Sequence, residues 1–521
     1  MVYYGCFVEE NMSESRAKNA IRNVIFAMFL KLYQIIVPFG VRTIFIYVLG
    51  MQYIGLNGLF TSILNTLNLA ELGVGAALVF SMYRPIAKHD TEMICALMNF
   101  YKKSYYLIGF IVTLLGIGLV PFLNIFIKSD IPTDINIYIL YLINLGGTVS
   151  TYFLFSYKSC LFSAHQRNDI NSKIAIGVET AKYVLQCIAL LLFKSYYLYI
   201  LIIPICSIAT NIITALLASK YYPEYRDQGK LNKENIVALK EKIKALFIVK
   251  IGSVVLNSVD NIVISAFLGL TILGLYSNYY YVVSSVVSVV GLCTSSIIAS
   301  LGNSMETEST EKNYHDFMKL SFWNMWLVGW CAICMVCLCQ HFIRLWVGEE
   351  NMLPSGIALL FSIYFYVLQS NQVAGAYKDA AGIWVSDRFR PLITAGINLA
   401  CNLIMVRLIG IYGIILSTVI SLLIVNMPWL IHNVCKYIFN KKMKGYMWHW
   451  IYNTAITILA GGICFYICGV MPEKGMQWLL GKAMVCVVIP NIIYFFFYHR
   501  TEQFIDSKEV IQKILRNVLH K

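Results

Sequence analysis

The chain has 521 residues, of which 59% are hydrophobic and 13% charged, with a formal net charge of +14 and a mean hydropathy of +0.67. Soluble domains carry roughly a quarter charged residues, and a single core stops growing at about 250–300 residues. A soluble globular protein is therefore excluded, as are the disordered, collagen-like and disulfide-framework classes. What remains is a polytopic membrane protein with an apolar surface toward lipid.

No charged n-region followed by a short apolar run and a small-residue cleavage site opens the chain, so no removable signal peptide is expected. The first eleven residues, MVYYGCFVEEN, differ in character from SESRAKNAIRN behind them, which points to Met12 as the natural start. Between the charge clusters lie about fourteen stretches near the 20 apolar residues that a span requires. They run approximately 20–49, 57–83, 105–127, 136–162, 173–193, 196–218, 245–268, 271–302, 317–340, 355–377, 391–408, 410–434, 448–470 and 477–498. The expected fold class is an all-α membrane protein with about 14 transmembrane helices.

With the N-terminus inside, alternate loops hold about thirty basic residues on the inner side and about five outside, namely Lys128, Lys194, Arg344, Lys474 and Lys482. Both termini are thus expected in the cytoplasm. The positive charge is a topology signal, and no nucleic-acid partner is needed to explain it.

The segment Arg42-TIFIYVLGMQYIGLNGLF-Thr61 has a counterpart in Asp260-NIVISAFLGLTILGLYSNYY-Tyr281. Gly50 and Gly55 align with Gly269 and Gly274, and Leu56 with Leu275. The offset of about 219 residues covers six spans, and an even number of spans implies a parallel repeat. The expected organisation is a cytoplasmic N-terminus at 1–19, an N-lobe at 20–218, a cytoplasmic amphipathic linker at 219–244 and a C-lobe at 245–434. Two extra helices at 448–498 and a basic cytoplasmic tail at 499–521 complete it. Two such lobes would face each other across a central cavity.

Ionisable residues at bilayer depth are expensive and face a cavity or a partner. In the first span Lys31, Gln34, Pro38 and Arg42 follow helical spacing, and Arg42 returns to within about 20° of Lys31, some 16 Å along the helix. The second span carries Thr61, Asn65, Asn68 and Glu71; the seventh carries Lys250, Ser253, Asn257 and Asp260. The functional reading makes Arg42, Lys250 and Lys31 counter-charges for an anionic substrate, with Gln34, Asn65, Asn68, Ser253 and Asn257 lining the cavity. The bland alternative is internal pairing, such as Arg42 with Glu71, or snorkelling of Lys250 to headgroups. Glu71 and Asp260 are the candidates for coupling to a proton or sodium ion. Glu179 and Lys182, three apart, are expected to pair on their own helix.

Other signals carry less. Cys331, Cys334, Cys337 and Cys339 have a cluster-like spacing, but they lie in one apolar helix whose geometry points them apart, so no metal is expected. His341, Arg344, Glu349 and Glu350 crowd one short external loop that offers little from which to build an active site. P-loop, H-E-x-x-H and G-x-S-x-G motifs are absent. The segments Lys220–Lys244 and Thr501–Lys521 are basic and amphipathic and read as in-plane helices, the latter through Phe504, Ile511, Ile514, Leu515 and Val518.

Taken together, these residues resemble the Wzx-type oligosaccharide-lipid flippases, within the superfamily that also holds multidrug antiporters and lipid II flippases. The resemblance runs through SRAKNAIRN, VPFGVRTIFIYVLGMQYIGLNGLF, LNLAELGVGAALVFSMYRPIA, SYKSCLFSAHQRNDINSK, SVDNIVISAFLGLTILGLYSNYY and IRLWVGEENM. It is strongest in SDRFRPLITAGINLACNLIMVRLIGIYGIILSTVIS. It implies a bacterial plasma-membrane protein that moves an undecaprenyl-diphosphate-linked oligosaccharide from the inner to the outer leaflet by alternating access, for capsule or another surface polysaccharide. The lipid tail would lie against spans thirteen and fourteen, with a polysaccharide polymerase and glycosyltransferases as partners and no cofactor beyond a coupling ion. The competing readings are a lipid II flippase and a cation-coupled multidrug antiporter. The three bases argue against the antiporter, and the short external loops argue against a membrane polymerase or ligase.

Overall fold

A computed structural model of the protein describes residues 2–68, 73–128 and 131–508, and every regular element among them is helical. Two compact units result, Met1–Leu273 and Gly274–Lys521.

The first unit contains α1 (Val2–Leu49), α2 (Met51–Leu67), α3 (Val74–Ala87), α4 (Thr91–Leu119), α5 (Ile137–Phe153), α6 (Ser159–Ala164), α7 (Asn168–Leu191), α8 (Tyr196–Tyr221) and α9 (Lys233–Leu268). Side-chain caps set several starts. Asp90 accepts from the Met93 amide (3.0 Å), Asn136 from Tyr138 (3.0 Å) and Asn232 from Asn235 (2.9 Å), each satisfying a donor that the first turn leaves open. Within the unit α1 packs on α7, α7 on α8, α8 on α5, and α9 on α2 and α3.

The second unit contains α10 (Leu270–Thr307, whose first turn belongs to the first unit), α11 (Thr310–Val347), α12 (Gly356–Ser370), α13 (Gln372–Ala380), α14 (Trp384–Asp387), α15 (Arg390–Ile409), α16 (Ile411–Ser421), α17 (Met427–Tyr437), α18 (Lys444–Val470) and α19 (Met476–Tyr498). A five-residue π-helical stretch, Leu422–Asn426, joins α16 to α17. The long helix α11 packs against α12, α13, α18 and α19, and α15 pairs with α16.

Eleven helices are long and apolar enough to cross a membrane, and the α5–α6 pair, bent by 51°, raises the number to twelve among the described residues. Large apolar side chains such as Leu192, Leu408, Ile458 and Phe496 stand exposed, as a surface toward lipid requires. The protein is a multi-pass integral membrane protein. Twelve of the fourteen expected spans are thus found among the described residues, and all fourteen segments are at least partly helical. The expected second span is divided into α2 and α3, only 17 and 14 residues long. The eighth lies in the long helix α10, several of whose side chains fall outside the described residues.

The repeat has a conformational signature. Gly50, between α1 and α2, has φ 99° and ψ −179°; Gly269, between α9 and α10, has φ 94° and ψ 172°. Both lie in a region open essentially to glycine alone, and no neighbouring atom would obstruct a Cβ at Gly50. Backbone geometry, not space, therefore selects glycine at the first site. A second correspondence joins Asp169 and Asp387, 218 positions apart. Asp169 is fully buried and pairs with Arg22 (3.2 Å), Arg167 (3.0 Å) and Lys173 (3.3 Å). Asp387, also buried, takes Arg390 through two oxygens at 2.7 Å each and the Asn433 amide at 3.2 Å, with Lys378 at 3.7 Å. Each unit thus sets one buried carboxylate, neutralised by two or three cations, at the start of α7 or just before α15.

The basic linker is not a separate in-plane helix. Residues 222–232 form a loop, and from Lys233 the chain is already the first turns of α9. The loop is docked by Asp227, which accepts from Lys102 (2.6 Å) and Tyr157 (3.0 Å), and by the Gly229 carbonyl, which accepts from Asn99 (2.7 Å). Burial raises the Asp227 pKa, but the Lys102 hydrogen bond, together with backbone and Tyr157 donors, outweighs it and holds the carboxyl below its ordinary value. A depressed carboxylate stabilises above its unfolded pKa, and that contribution is lost as pH falls through the folded one. Limited proteolysis at 222–232 is therefore expected to accelerate below about pH 4, and Asp227→Asn should give the same acceleration at neutral pH. In the tail, Phe504 lies against Trp326, with ring centroids 6.2 Å apart, and Ser507 accepts from Trp323 (2.7 Å); Ile511, Ile514, Leu515 and Val518 fall outside the described residues.

Candidate substrate and ion site

The polar stripe of α1 divides by height. Lys31 is exposed and makes no hydrogen bond or ion pair among the described residues. Three residues on, Gln34 donates to Glu179 Oε1 on α7 (2.9 Å). Beside it the Tyr33 hydroxyl lies 2.6 Å from Thr180 Oγ1; Thr180 gives its proton to the Ile176 carbonyl (2.6 Å), so Tyr33 is the donor. Pro38 lacks the amide that would donate to the Gln34 carbonyl. Above it Arg42, half-buried, lies within electrostatic reach of Tyr199 on α8. A ring cluster closes this end: Phe45 meets Tyr199 at 4.8 Å and Tyr196 at 5.7 Å, and Tyr53, 5.2 Å from Tyr196, donates to Asp134 (2.6 Å).

The expected Glu179–Lys182 pair does not form. The Lys182 ammonium lies 4.5 Å from the Tyr183 ring centroid, while Gln34 takes one Glu179 oxygen and leaves Oε2 buried with no hydrogen-bond partner among the described residues. A mid-span carboxylate with one oxygen held by an amide and the other open is equipped to ligate a small cation. Residue spacing along α7 could not reveal this, because the deciding partner lies on α1, 145 positions away.

The stripe of α2 is split. Thr61 and Asn65 are exposed, whereas Asn68 turns to accept from Tyr152 on α5 (3.0 Å). Glu71, and with it the alternative pairing with Arg42, lies outside the described residues. On α9 Lys250 is exposed and Asp260 buried; the side chains of Ser253 and Asn257 lie outside the described residues. Asn261 donates to Ser62 (2.8 Å) and pins α9 to α2. The bases Lys31 and Arg42 on α1 and Lys250 on α9 therefore belong to one unit. An apolar groove of about 720 Å³, lined by Tyr33, Val37, Val41, Ile44, Tyr183 and Ile188 among others, runs between α1 and α7 beside the stripe.

The external residues build a fastening. Arg344 pairs with Glu473 and Glu349 (3.3 Å), and Lys474 reaches Glu349 (3.2 Å). His341, expected in that loop, is buried in the last turns of α11.

The polysaccharide biosynthesis protein family matches residues 20–298, more than half of the chain. The chain belongs to this family. No curated protein matches the family member described here. Among solved structures it is similar to the lipid II flippase MurJ in an inward closed conformation, with a TM-score of 0.64 at 14% identity over 92% of this chain and 99% of that one. It is also similar to an inward-facing MATE family multidrug resistance transporter of the MOP superfamily (0.56, 12%, 83% and 98%) and to a mutant of the Vibrio cholerae MATE transporter VcmN (0.57, 13%, 82% and 98%). At such identities the likeness is one of fold, and the fold of this family member is that of MurJ and the MATE transporters.

Proposed function

We propose that this family member is a flippase that carries undecaprenyl-diphosphate-linked oligosaccharide repeat units from the cytoplasmic to the outer leaflet of a bacterial plasma membrane by alternating access. Both termini lie in the cytoplasm in this reading, and the protein is not an enzyme. The observation that carries it is the set of bases Lys31, Arg42 and Lys250 on the helices of one unit in a chain of the polysaccharide biosynthesis family. A diphosphate needs cations that can strip its hydration; arginine offers a bidentate fork and lysine a point charge. The apolar groove beside α1 suits a hydrocarbon tail, an alternative to a tail path along α18 and α19. Asn65 is exposed to meet sugar hydroxyls, and Ser253 and Asn257 are proposed for the same task. A lipid II flippase shares this charge logic; a cation-exporting antiporter does not.

Coupling to a proton or sodium gradient is proposed through Glu179, with Glu71 and Asp260 as further candidates. Glu179→Gln keeps size and hydrogen bonding to Gln34 but removes the charge. Gradient-driven transport should fall to background while exchange without a gradient persists; unchanged gradient dependence would remove Glu179 from the scheme.

Deletion of the gene in its own host, followed by mass spectrometry of lipid-linked intermediates, tests the proposal. Accumulation of one diphosphate-linked oligosaccharide with loss of a surface polymer is expected, and the accumulated species identifies the cargo and the glycosyltransferases and polymerase that act with it. A normal lipid profile with altered resistance to cationic drugs would place the protein with the antiporters instead.

A further inference from the structure

The second unit holds a cluster that the spacing along α11 had argued against. Cys337 of α11 meets Cys464 and Cys468 of α18 and Cys486 of α19, and the four Sγ atoms all lie within 4.8 Å of one another. Their exposures are 7%, 0%, 3% and 0%. The Cys464 thiol donates to Cys486 Sγ at 3.7 Å. Only one cysteine comes from the C-x-x-C-x-x-C-x-C run; the other three come from two helices more than 120 positions away.

Isolated cysteines in apolar helices act as small hydrophobes that fill seams. Such residues spread along a seam, whereas these four converge from three helices on one point. A tetrahedral zinc thiolate with metal–sulfur bonds of about 2.3 Å needs sulfurs about 3.8 Å apart. The pair at 3.7 Å already meets this, and the remaining separations, none above 4.8 Å, require only a small contraction. Charge supplies a second, independent observation. Lys482, one turn before Cys486 and only 5% exposed, places its ammonium within electrostatic reach of Cys468, and the Lys482 carbonyl accepts from the Cys468 thiol at 4.0 Å. A buried ammonium in a membrane helix needs anions; Lys482 also lies within electrostatic reach of Glu473, whose carboxylate is itself taken by Arg344. Ile333, Ile456 and Ala460 supply an apolar shell that excludes competing water.

We propose that Cys337, Cys464, Cys468 and Cys486 form a structural tetrathiolate site for Zn2+ that fastens α18 and α19 to α11. Binding replaces four thiol protons with one dication, and the resulting dianionic centre is partly neutralised by Lys482, with no change of oxidation state. Because the ligands must be deprotonated, loading releases protons and weakens in acid. The site is distant in sequence from the bases of the first unit and does not depend on the transport reading.

The test uses the full chain, purified in detergent without chelator from zinc-supplemented cells. Mass-spectrometric metal analysis should find about one zinc per chain. Exchange into Co2+ should produce the visible d–d and sulfur-to-cobalt charge-transfer bands of a tetrahedral thiolate centre. Cys464→Ser/Cys486→Ser should lose both the zinc and the bands and melt at lower temperature, whereas Cys401→Ser, outside the cluster, should retain them. The wild-type readings stand even if the double variant does not fold. Monodisperse wild-type protein with zinc far below one equivalent and no cobalt bands, a Cys464–Cys486 disulfide in non-reducing peptide maps, or full zinc retention in a folded double variant would each overturn the assignment.

Discussion

Arg42→Ala is expected to lower transport of the diphosphate-linked substrate by roughly 10- to 150-fold while leaving membrane insertion and detergent stability unchanged. The estimate follows from the value of a hydrogen bond to a charged group, about 1.5–3 kcal/mol, with tenfold for each 1.4 kcal/mol. The side chain is half-buried beside Tyr199 on a helix that the Tyr33–Thr180 and Gln34–Glu179 bonds already hold to α7, so its removal should not loosen the unit. Lys250→Ala should act in the same direction with a smaller effect, because an exposed ammonium gives up less on losing its partner. Arg42→Lys separates two contributions: retained charge with lost bidentate geometry should recover only part of the activity. Complementation of a deletion strain, scored by surface polymer and normalised to protein level, reads all three. If Arg42→Ala and Lys250→Ala both transport normally, the bases are structural and the substrate is not held by them.

The second large effect is on stability. Asp387→Ala is expected to cost about 3–5 kcal/mol, the range for breaking a buried ion pair by removing one partner. Asp387 is 3% exposed, and its loss removes the carboxylate from nearly buried Arg390, leaves Lys378 with Asp379 alone at 2.8 Å, and takes away one of the two Asn433 bonds that tie α17 to α14. Arg390 keeps only the Asn426 oxygen at 2.8 Å. The melting temperature in detergent should drop and the folded yield with it. The cost of Arg390→Ala should be much smaller in the Asp387→Ala background than alone, because the two side chains share one interaction. Additive effects would show that the pair contributes little and that the buried carboxylate is held by other means.

These two predictions mark where the sequence was informative and where it was not. Gly50 and Gly269 could be aligned because each sits in an apolar frame that changes little between copies, and both adopt the same glycine-only geometry. The Asp169–Asp387 correspondence has no sequence signature, because its cations come from different places: Arg22 and Lys173 in one unit, Lys378 and Arg390 in the other. Helical periodicity placed Lys31, Gln34 and Arg42 on one face, yet it could not say that Gln34 would be taken by Glu179. Nor could it separate Asn65, which stays exposed, from Asn68, which Tyr152 draws inward. The strongest family-like segment, around Asp387, Asn398 and Asn402, supports helix packing rather than chemistry. Asn398 donates to Thr418 (2.9 Å), Ser417 donates to Asn402, and the α15–α16 seam is polar and satisfied. The thiol cluster shows the same limit, since a motif search along one helix cannot find a tetrahedron assembled from three.

The central claim is movement of a diphosphate-linked oligosaccharide across the bilayer, and a leaflet-resolved assay tests it most directly. The purified protein is reconstituted in liposomes containing a fluorescent polyprenyl-diphosphate oligosaccharide, and an impermeant reagent that modifies only the outer-leaflet sugar is added. With wild-type protein the protected half of the lipid should become accessible, and with Arg42→Ala it should do so at a rate lower by roughly 10- to 150-fold. Continued protection in wild-type vesicles, with and without an imposed proton or sodium gradient, would contradict the proposal that this protein is a flippase for such lipids.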